Sequence, residues 1–299
     1  MSGPRRRTLD DNATSLDLYD SAAQAAAAQV IRSYSTSFGL GARMLPKPMR
    51  RHIESVYAMV RVADEVVDTY RGDDADDVLD AFEAGVLAAM GGRFSTDVVA
   101  HAFGVTARAV GITRAQTDPF FASMRADLTV TEHDDESFAL YVYGSAEVVG
   151  EMCLAVFLNT GAGPTPLPAV ASAGARRLGA AYQKVNFLRD LGTDGGELGR
   201  SYFPGIAVDT LTNEQLAALV ADCRADIEAA RACLPALPRR AGVAVSTTID
   251  IYTRLLDNIA ALDAAELAGR RVRVPNTTKA VFAARNSWNS RRSGAQNAQ

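Results

Sequence analysis

The chain is poor in the residues that build stapled or metal-centred proteins. Its 299 residues include only three cysteines and three histidines. Cys153, Cys223 and Cys233 are scattered, as are His52, His101 and His133, with no CxxC or HxxxH spacing. A disulfide framework and a zinc site are therefore excluded, and the thiols fit a reducing compartment. Basic charge is not in excess either: 31 Lys and Arg stand against 35 Asp and Glu, a net charge of −4. That argues against a nucleic-acid partner, which needs a basic footprint. No long apolar run is uninterrupted. The longest, 139–158, is broken by Glu147 and Glu151, so it is not expected to span a membrane. Arg5, Arg6 and Arg7 are followed by Asp10 and Asp11 rather than an apolar segment, so no secretory signal is expected. A cytoplasmic protein is the expectation, with room for peripheral contact at the inner face of a membrane. A phosphate loop is missing too, since Gly39-Leu40-Gly41 continues neither as GxGxxG nor as a P-loop.

What is present is helical. With 48% hydrophobic and 22% charged residues the chain can bury a sizeable core. It is rich in Ala, Leu, Arg, Asp and Glu and has no repeated short Val/Ile/Thr runs, which predicts an all-α bundle of about ten helices. Helices are expected near 17–33, 48–70, 75–90, 95–110, 118–130, 135–158, 169–192, 213–233, 245–266 and 277–287. Pro46 and Pro48 suit the start of the second, Gly195-Gly196 the end of the seventh, and Thr212 with Gln215 a capping box for the eighth. The segment 33–39 reads as irregular. One domain is expected over 17–288, between a flexible N-terminus, 1–16, and a flexible tail, 289–299.

Two of these helices carry acidic strips that do not read as solvent faces. On helix 48–70, Tyr57, Arg61, Asp64 and Asp68 fall within roughly 60° of one another. Ile53, Val56, Val60, Ala63 and Val67 flank the strip on one side, and Met59, Val62 and Val66 on the other. A surface helix normally has one apolar stripe, not two. The strip must line a cavity or be paired, because isolated buried carboxylates are strongly disfavoured. The second strip is Gln183, Asn186, Asp190 and Asp194, within about 80°, on a helix otherwise lined by Leu178, Ala181, Val185, Leu188 and Leu191. Two such strips face to face would offer hard oxygen ligands suited to Mg²⁺ bridging to phosphate oxygens. The alternative for each strip is an ion-pair network with Arg61 or Arg189. A third acidic string, Asp73-Asp74-Ala75-Asp76-Asp77, contains DDxxD literally. It follows Gly72 and opens a helix without enclosing apolar stripes, so it reads as a solvated terminus whose acids complement the helix dipole.

At these residues the sequence resembles the squalene/phytoene synthase family of head-to-head prenyl transferases, over roughly 20–285. Tyr34-Ser35-Thr36-Ser37-Phe38 resembles the family's Ser-x-Ser-Phe flap, and 57–68 its first Tyr-x-x-x-Arg-x-x-Asp-x-x-x-Asp motif. Tyr143 to Glu151 resembles the central helix, 183–194 the second aspartate motif, and Arg200-Ser201-Tyr202-Phe203-Pro204 the element after it. Tyr252 and Arg271-Val272-Arg273-Val274-Pro275 look like the phytoene synthase branch.

The resemblance implies a class I isoprenoid synthase fold around a central cavity. It also implies Mg²⁺ held by Asp64, Asp68, Asp190 and Asp194. Ser35, Ser37, Arg61, Gln183, Asn186, Arg189, Arg200 and Arg271 would bind diphosphate, with Arg270 and Arg271 both open as the group that faces the site. Tyr57, Arg61, Tyr143, Tyr202 and Tyr252 would serve catalysis, the tyrosines by offering ring faces to carbocations. The expected reaction joins two geranylgeranyl diphosphates through a cyclopropylcarbinyl diphosphate to phytoene, without NADPH. The alternatives are a squalene or dehydrosqualene synthase using farnesyl diphosphate, a class I terpene cyclase, and a helical scaffold without activity. Expected partners are prenyl diphosphates, a membrane surface and downstream pathway enzymes.

Overall fold

A computed structural model describes residues 9–197, 202–206 and 210–296, with side chains over 15–191, 202–206 and 210–292. Among them are helices, the turns between them and a single β-bridge residue, Glu132, and no strand. They run α1 (Leu9–Tyr34), α2 (Thr36–Met44), α3 (Lys47–Asp68), α4 (Ala75–Met90), α5 (Val98–Val110), α6 (Arg114–Thr129), α7 (Asp135–Val142), α8 (Val148–Asn159), α9 (Ala169–Glu197), α10 (Asn213–Ala232), α11 (Arg239–Ala260), α12 (Ala264–Ala268) and α13 (Asn276–Gln296).

Apolar residues sort these helices into two packed halves. In the first, α1, α3, α4, α5, α6 and α8 bury Met59, Ala63, Phe103, Phe120, Phe121 and Met152. In the second, α7, α9, α10, α11 and α12 bury Val185, Leu188, Ile227, Ile249 and Leu256. Each large side chain fully removed from water contributes about 1.5–3 kcal/mol. The helix α7 and α8 joins the halves, lying between α6 and α9. It is long and apolar enough to cross a membrane by length and composition, yet more than half of its apolar window is buried in the bundle. Its acids are paired there: Arg176 Nε lies 3.1 Å from Glu151 Oε1, and the Ser172 hydroxyl donates to Glu151.

Several expected boundaries shift, each for a local reason. The segment 33–39 is not irregular: Ser35 takes an extended backbone, caps α2 and accepts from the Phe38 N–H at 3.1 Å. Helix 135–158 is interrupted by one π-helical turn, Tyr143–Glu147, whose extra residue changes the faces presented before and after it. Gly195-Gly196 does not end α9, which continues to Glu197. Expected helix 245–266 is two helices, because Asp263 and Glu266 form a capping box that starts α12 afresh. Helix α1 begins at Leu9, ahead of the boundary at 17, and α13 runs past Trp288, where a tail without structure was expected. The capping box of Thr212 and Gln215 is present at the start of α10.

Three glycines are required by close helix packing. A Cβ on Gly144 would collide with the Pro119 carbonyl and Ser123 Oγ. One on Gly150 would meet the Ala175 carbonyl, and one on Gly179 the Ala146 carbonyl. These glycines let α6, the α7–α8 helix and α9 approach backbone to backbone.

Candidate active site

The first strip is half-buried as its flanking stripes require. Val56, Met59, Ala63, Val66 and Val67 of α3 are buried, while Tyr57, Arg61, Asp64 and Asp68 are partly exposed. Arg61 Nη1 donates to Asp64 Oδ2 at 2.6 Å, and its Nη2 donates to Glu65. Its guanidinium lies over the Tyr34 ring, 4.5 Å from the centroid. Burial opposes the Arg61 charge, but the Asp64 and Glu65 carboxylates hold its pKa above the ordinary value. Arg61 Nε is buried with no hydrogen-bond partner among these groups. Such a donor is costly to leave unmet, and an incoming oxyanion would satisfy it.

The second strip is tied by longer connections. Asp190 accepts from Arg189 Nε at 3.0 Å and pairs with Arg271 Nε at 2.8 Å. This answers the question left by sequence: Arg271 reaches the strip. Asn186 Oδ1 accepts from the Tyr252 hydroxyl at 3.3 Å. Gln183 lies on the same face, half-buried. The Asp194 side chain and Arg200 lie outside the described residues.

Aromatic rings connect the strips. Phe38 of α2 has its ring centroid 6.3 Å from Tyr57 on α3, and 5.9 Å from both Tyr182 and Tyr252. Tyr182 stacks on Tyr252 at 3.9 Å. Burial pushes the Tyr252 phenol up to about 12, against the opposing influence of Arg189 and Asn186. Burial likewise raises Tyr57, whose hydroxyl is bonded by Ser35. These phenols stay protonated at neutral pH, so they offer neutral rings and hydroxyl dipoles and not phenolate bases. Ser37 lies on α2, partly exposed.

Tyr202 joins this region through other rings. It stacks on Phe187 at 4.0 Å and lies 5.6 Å from Tyr141. Tyr141 was missed by the sequence reasoning. It is buried, donates to Asp127 at 2.9 Å, and its pKa is raised first by burial, then by Asp127, Tyr202 and Asp64. Tyr143 goes elsewhere: the Arg176 guanidinium lies 4.9 Å over its ring, beside Glu147 and Glu151. Tyr141 and Tyr143 lie two residues apart, roughly 200° around the helix, and so point to different sides. Lys279 was missed as well. Its Nζ donates to Thr36 Oγ1 at 2.7 Å, and burial together with Arg189 lowers its pKa. Lys279 and Thr36 stand 243 positions apart, a separation that leaves no sequence signal.

The ion pairing expected as the alternative to ligand chemistry is thus present on both strips. Among the described residues, no three His, Cys, Asp or Glu side chains converge to enclose a metal ion. The donors are hard carboxylates offered from separate helices. That chemistry fits an ion that completes its shell with water and phosphate oxygens better than one held in an all-protein cage.

The string at Asp73 to Asp77 stays apart. Asp73, Asp74, Asp76 and Asp77 are exposed, Asp74 precedes α4, and the Tyr70 hydroxyl donates to it at 2.6 Å.

The fold is shared with solved squalene-type synthases. The chain superposes on a dehydrosqualene synthase crystallised with a ligand at a TM-score of 0.74 and 22% identity, covering 90% of this chain and 97% of that one. It superposes on a squalene synthase from Alicyclobacillus acidocaldarius at 0.71 and 21% identity, covering 82% and 95%. At such identities the likeness concerns the fold, which is the all-α isoprenoid synthase fold. The sequence narrows it further. The squalene/phytoene synthase family model matches residues 31–278, and the chain belongs to that family. A phytoene synthase of Mycobacterium bovis is 28% identical over 278 residues, 85% of this chain and 87% of that protein. A phytoene synthase of Thermus thermophilus is 33% identical over 184 residues, 59% and 57% of the two chains. The chain is a prenyltransferase of the phytoene synthase type.

Proposed function

We propose that the protein joins two geranylgeranyl diphosphates head to head and releases phytoene, two diphosphates and two protons. What supports this reading is the opposition of two acid-and-arginine strips, from α3 and α9, across the rings of Phe38, Tyr57 and Tyr252. Mg²⁺ would be held by Asp64, Asp68, Asp190 and Asp194, where it supplies Lewis-acid neutralisation of the departing diphosphate.

The residues of the chain do the remaining work. Arg61, Arg189 and Arg271 grip diphosphate oxygens through charge-assisted bonds once they turn from their carboxylates. Lys279 adds a further cation beside Arg189. Breaking the carbon–oxygen bond of the first substrate leaves an allylic cation, and the double bond of the second attacks it. Loss of a proton gives the cyclopropylcarbinyl diphosphate. A second ionisation, rearrangement and proton loss give the linear product. Protonated Tyr57, Tyr141 and Tyr252, with the ring of Tyr202, face the cations with electron-rich rings, and the three phenols offer no strong base that would quench them early. Helix α2, with Ser35, Ser37 and Phe38, covers the diphosphates and excludes water.

The geranylgeranyl length is proposed from the relatives named as phytoene synthases. Gly144, Gly150 and Gly179 are packing residues, so small side chains on these helices are no measure of tail length. The test is incubation of purified protein with Mg²⁺ and either geranylgeranyl or farnesyl diphosphate, with and without NADPH, and product identification by mass. Phytoene from geranylgeranyl diphosphate without reductant is expected. A product from farnesyl diphosphate alone would move the assignment to the dehydrosqualene branch, and an NADPH requirement to the squalene branch. Both the substrate and the product tails are apolar, so exchange with a cytoplasmic membrane face belongs to this proposal.

A further inference from the structure

The C-terminal part of the chain differs in charge from the rest. Residues 270–299 carry seven Lys or Arg and no Asp or Glu, in a chain whose net charge is −4. Most of this segment is α13, and its two faces are unlike. Asn286 Nδ2 donates to Thr247 Oγ1 at 3.2 Å and to Asp250 Oδ2 at 2.8 Å, fixing one face on α11. Lys279 fixes the same face on α2 through Thr36. Val281, Arg285, Trp288 and Arg292 recur at spacings of four, three and four, so they fall within roughly 60° on the opposite side. All four are exposed; Val281 is 62% and Trp288 63% accessible. Arg285 is partly neutralised by Asp250 at 2.8 Å, whereas Arg291 and Arg292 stand exposed next to the tryptophan.

We propose that this outer face of α13 docks on an anionic lipid bilayer. A large amphipathic ring, a branched apolar side chain and arginines with no acid on the helix match the interfacial level of such a surface. Arginine near an anionic leaflet is attracted electrostatically, while the indole sits among the headgroups. The position has a consequence for the site. Helix α13 also packs on α2, and α2 carries Phe38 and the Ser35 cap. Docking would therefore set α2, proposed above to cover the diphosphates, beside the phase into which an apolar product partitions. This last consequence rests on the proposed prenyl condensation; the docking surface does not.

The test uses the intact chain without substrate, because Trp288 is its single tryptophan and reports directly. Vesicles of phosphatidylglycerol should blue-shift its emission, and vesicles of phosphatidylcholine should not. High salt should weaken binding. The double substitution Arg291→Glu with Arg292→Glu should lower vesicle affinity at least about tenfold. It should leave the thermal midpoint and turnover on detergent-dispersed substrate unchanged. Unaltered Trp288 emission with anionic vesicles, equal response to both lipids, or parental affinity in the double variant would each overturn the proposal. Vesicle binding without any condensation product would sink the proposed activity and leave this surface standing; the converse result would do the reverse.

Discussion

The two acidic strips pair their carboxylates by different construction. On α3, Arg61 grips Asp64 and Glu65 at i+3 and i+4, so one helix supplies both the acids and their counter-charge. On α9, Asp190 is held by adjacent Arg189 and by Arg271, 81 residues away, while Asn186 is held by Tyr252 on α11. The first strip is assembled as soon as its helix forms. The second is complete only when α11 and the segment before α13 have docked. A change on α3 should therefore act on chemistry alone, and a change on α9 should also disturb packing around it.

The largest effect expected is on the carboxylates. Asp64→Ala and Asp190→Ala should each lower turnover by about a thousandfold or more, as loss of a ligand to a catalytic ion does. Stability separates the two. Asp64→Ala leaves Arg61 its partner Glu65, so its thermal midpoint should stay near that of the parent. Asp190→Ala strips the shared partner from Arg189 and Arg271, so its midpoint should move further. Turnover near the parental level in both variants at saturating Mg²⁺ would break the comparison at its root.

A smaller loss is expected from the arginines. Arg61→Ala should lower kcat/KM for the prenyl diphosphate about a hundredfold, and Arg61→Lys less, because the ammonium keeps the charge without the fork. Arg271→Ala should mainly raise KM, by about tenfold, since this partly exposed side chain approaches from outside the α9 strip. Steady-state kinetics on all three would show whether the local arginine and the distant one act at the same step. Identical kinetic changes in Arg61→Ala and Arg271→Ala would erase the distinction.

This difference in construction explains what could be read from the sequence. The α3 strip was fully legible, because helical spacing alone brings Tyr57, Arg61, Asp64 and Asp68 to one face. On α9 the same spacing yields Gln183, Asn186 and Asp190 but says nothing of Tyr252, Arg271 or Lys279, which arrive by tertiary contact. The all-α class followed from composition. The α2 helix did not, because its short Ser- and Gly-containing sequence has weak propensity and depends on the Ser35 cap and packing against α11. The π turn at Tyr143 was invisible for a similar reason: the close approach that accompanies it involves Pro119 and Ser123 on another helix.

The two tyrosines beside that turn give a subtler prediction. Tyr141→Phe removes the bond to buried Asp127, which should cost about 1–3 kcal/mol of stability and lower kcat. Tyr143→Phe keeps the ring under Arg176 and should leave kcat near the parental value while trimming stability only slightly. A loss of kcat confined to Tyr143→Phe would return the catalytic role to the residue that the sequence resemblance picked.

The smallest effect is expected where the motif is most literal. Asp73 and Asp77 belong to the DDxxD string, yet both are exposed and neither is flanked by two apolar stripes. Asp77 lies in the first turn of α4, where an acid complements the helix dipole by about 0.3–1 kcal/mol. Asp73 precedes the helix and contributes less. Asp73→Ala and Asp77→Ala should therefore keep full turnover, with at most a small drop in thermal midpoint for Asp77→Ala. On the proposed function, what makes a carboxylate available for chemistry is enclosure on a buried helix, as proposed for Asp64 and Asp190, and not the density of acids along the chain. A tenfold loss of turnover in either exposed variant, without unfolding, would show that the string reaches the site and that enclosure is the wrong criterion.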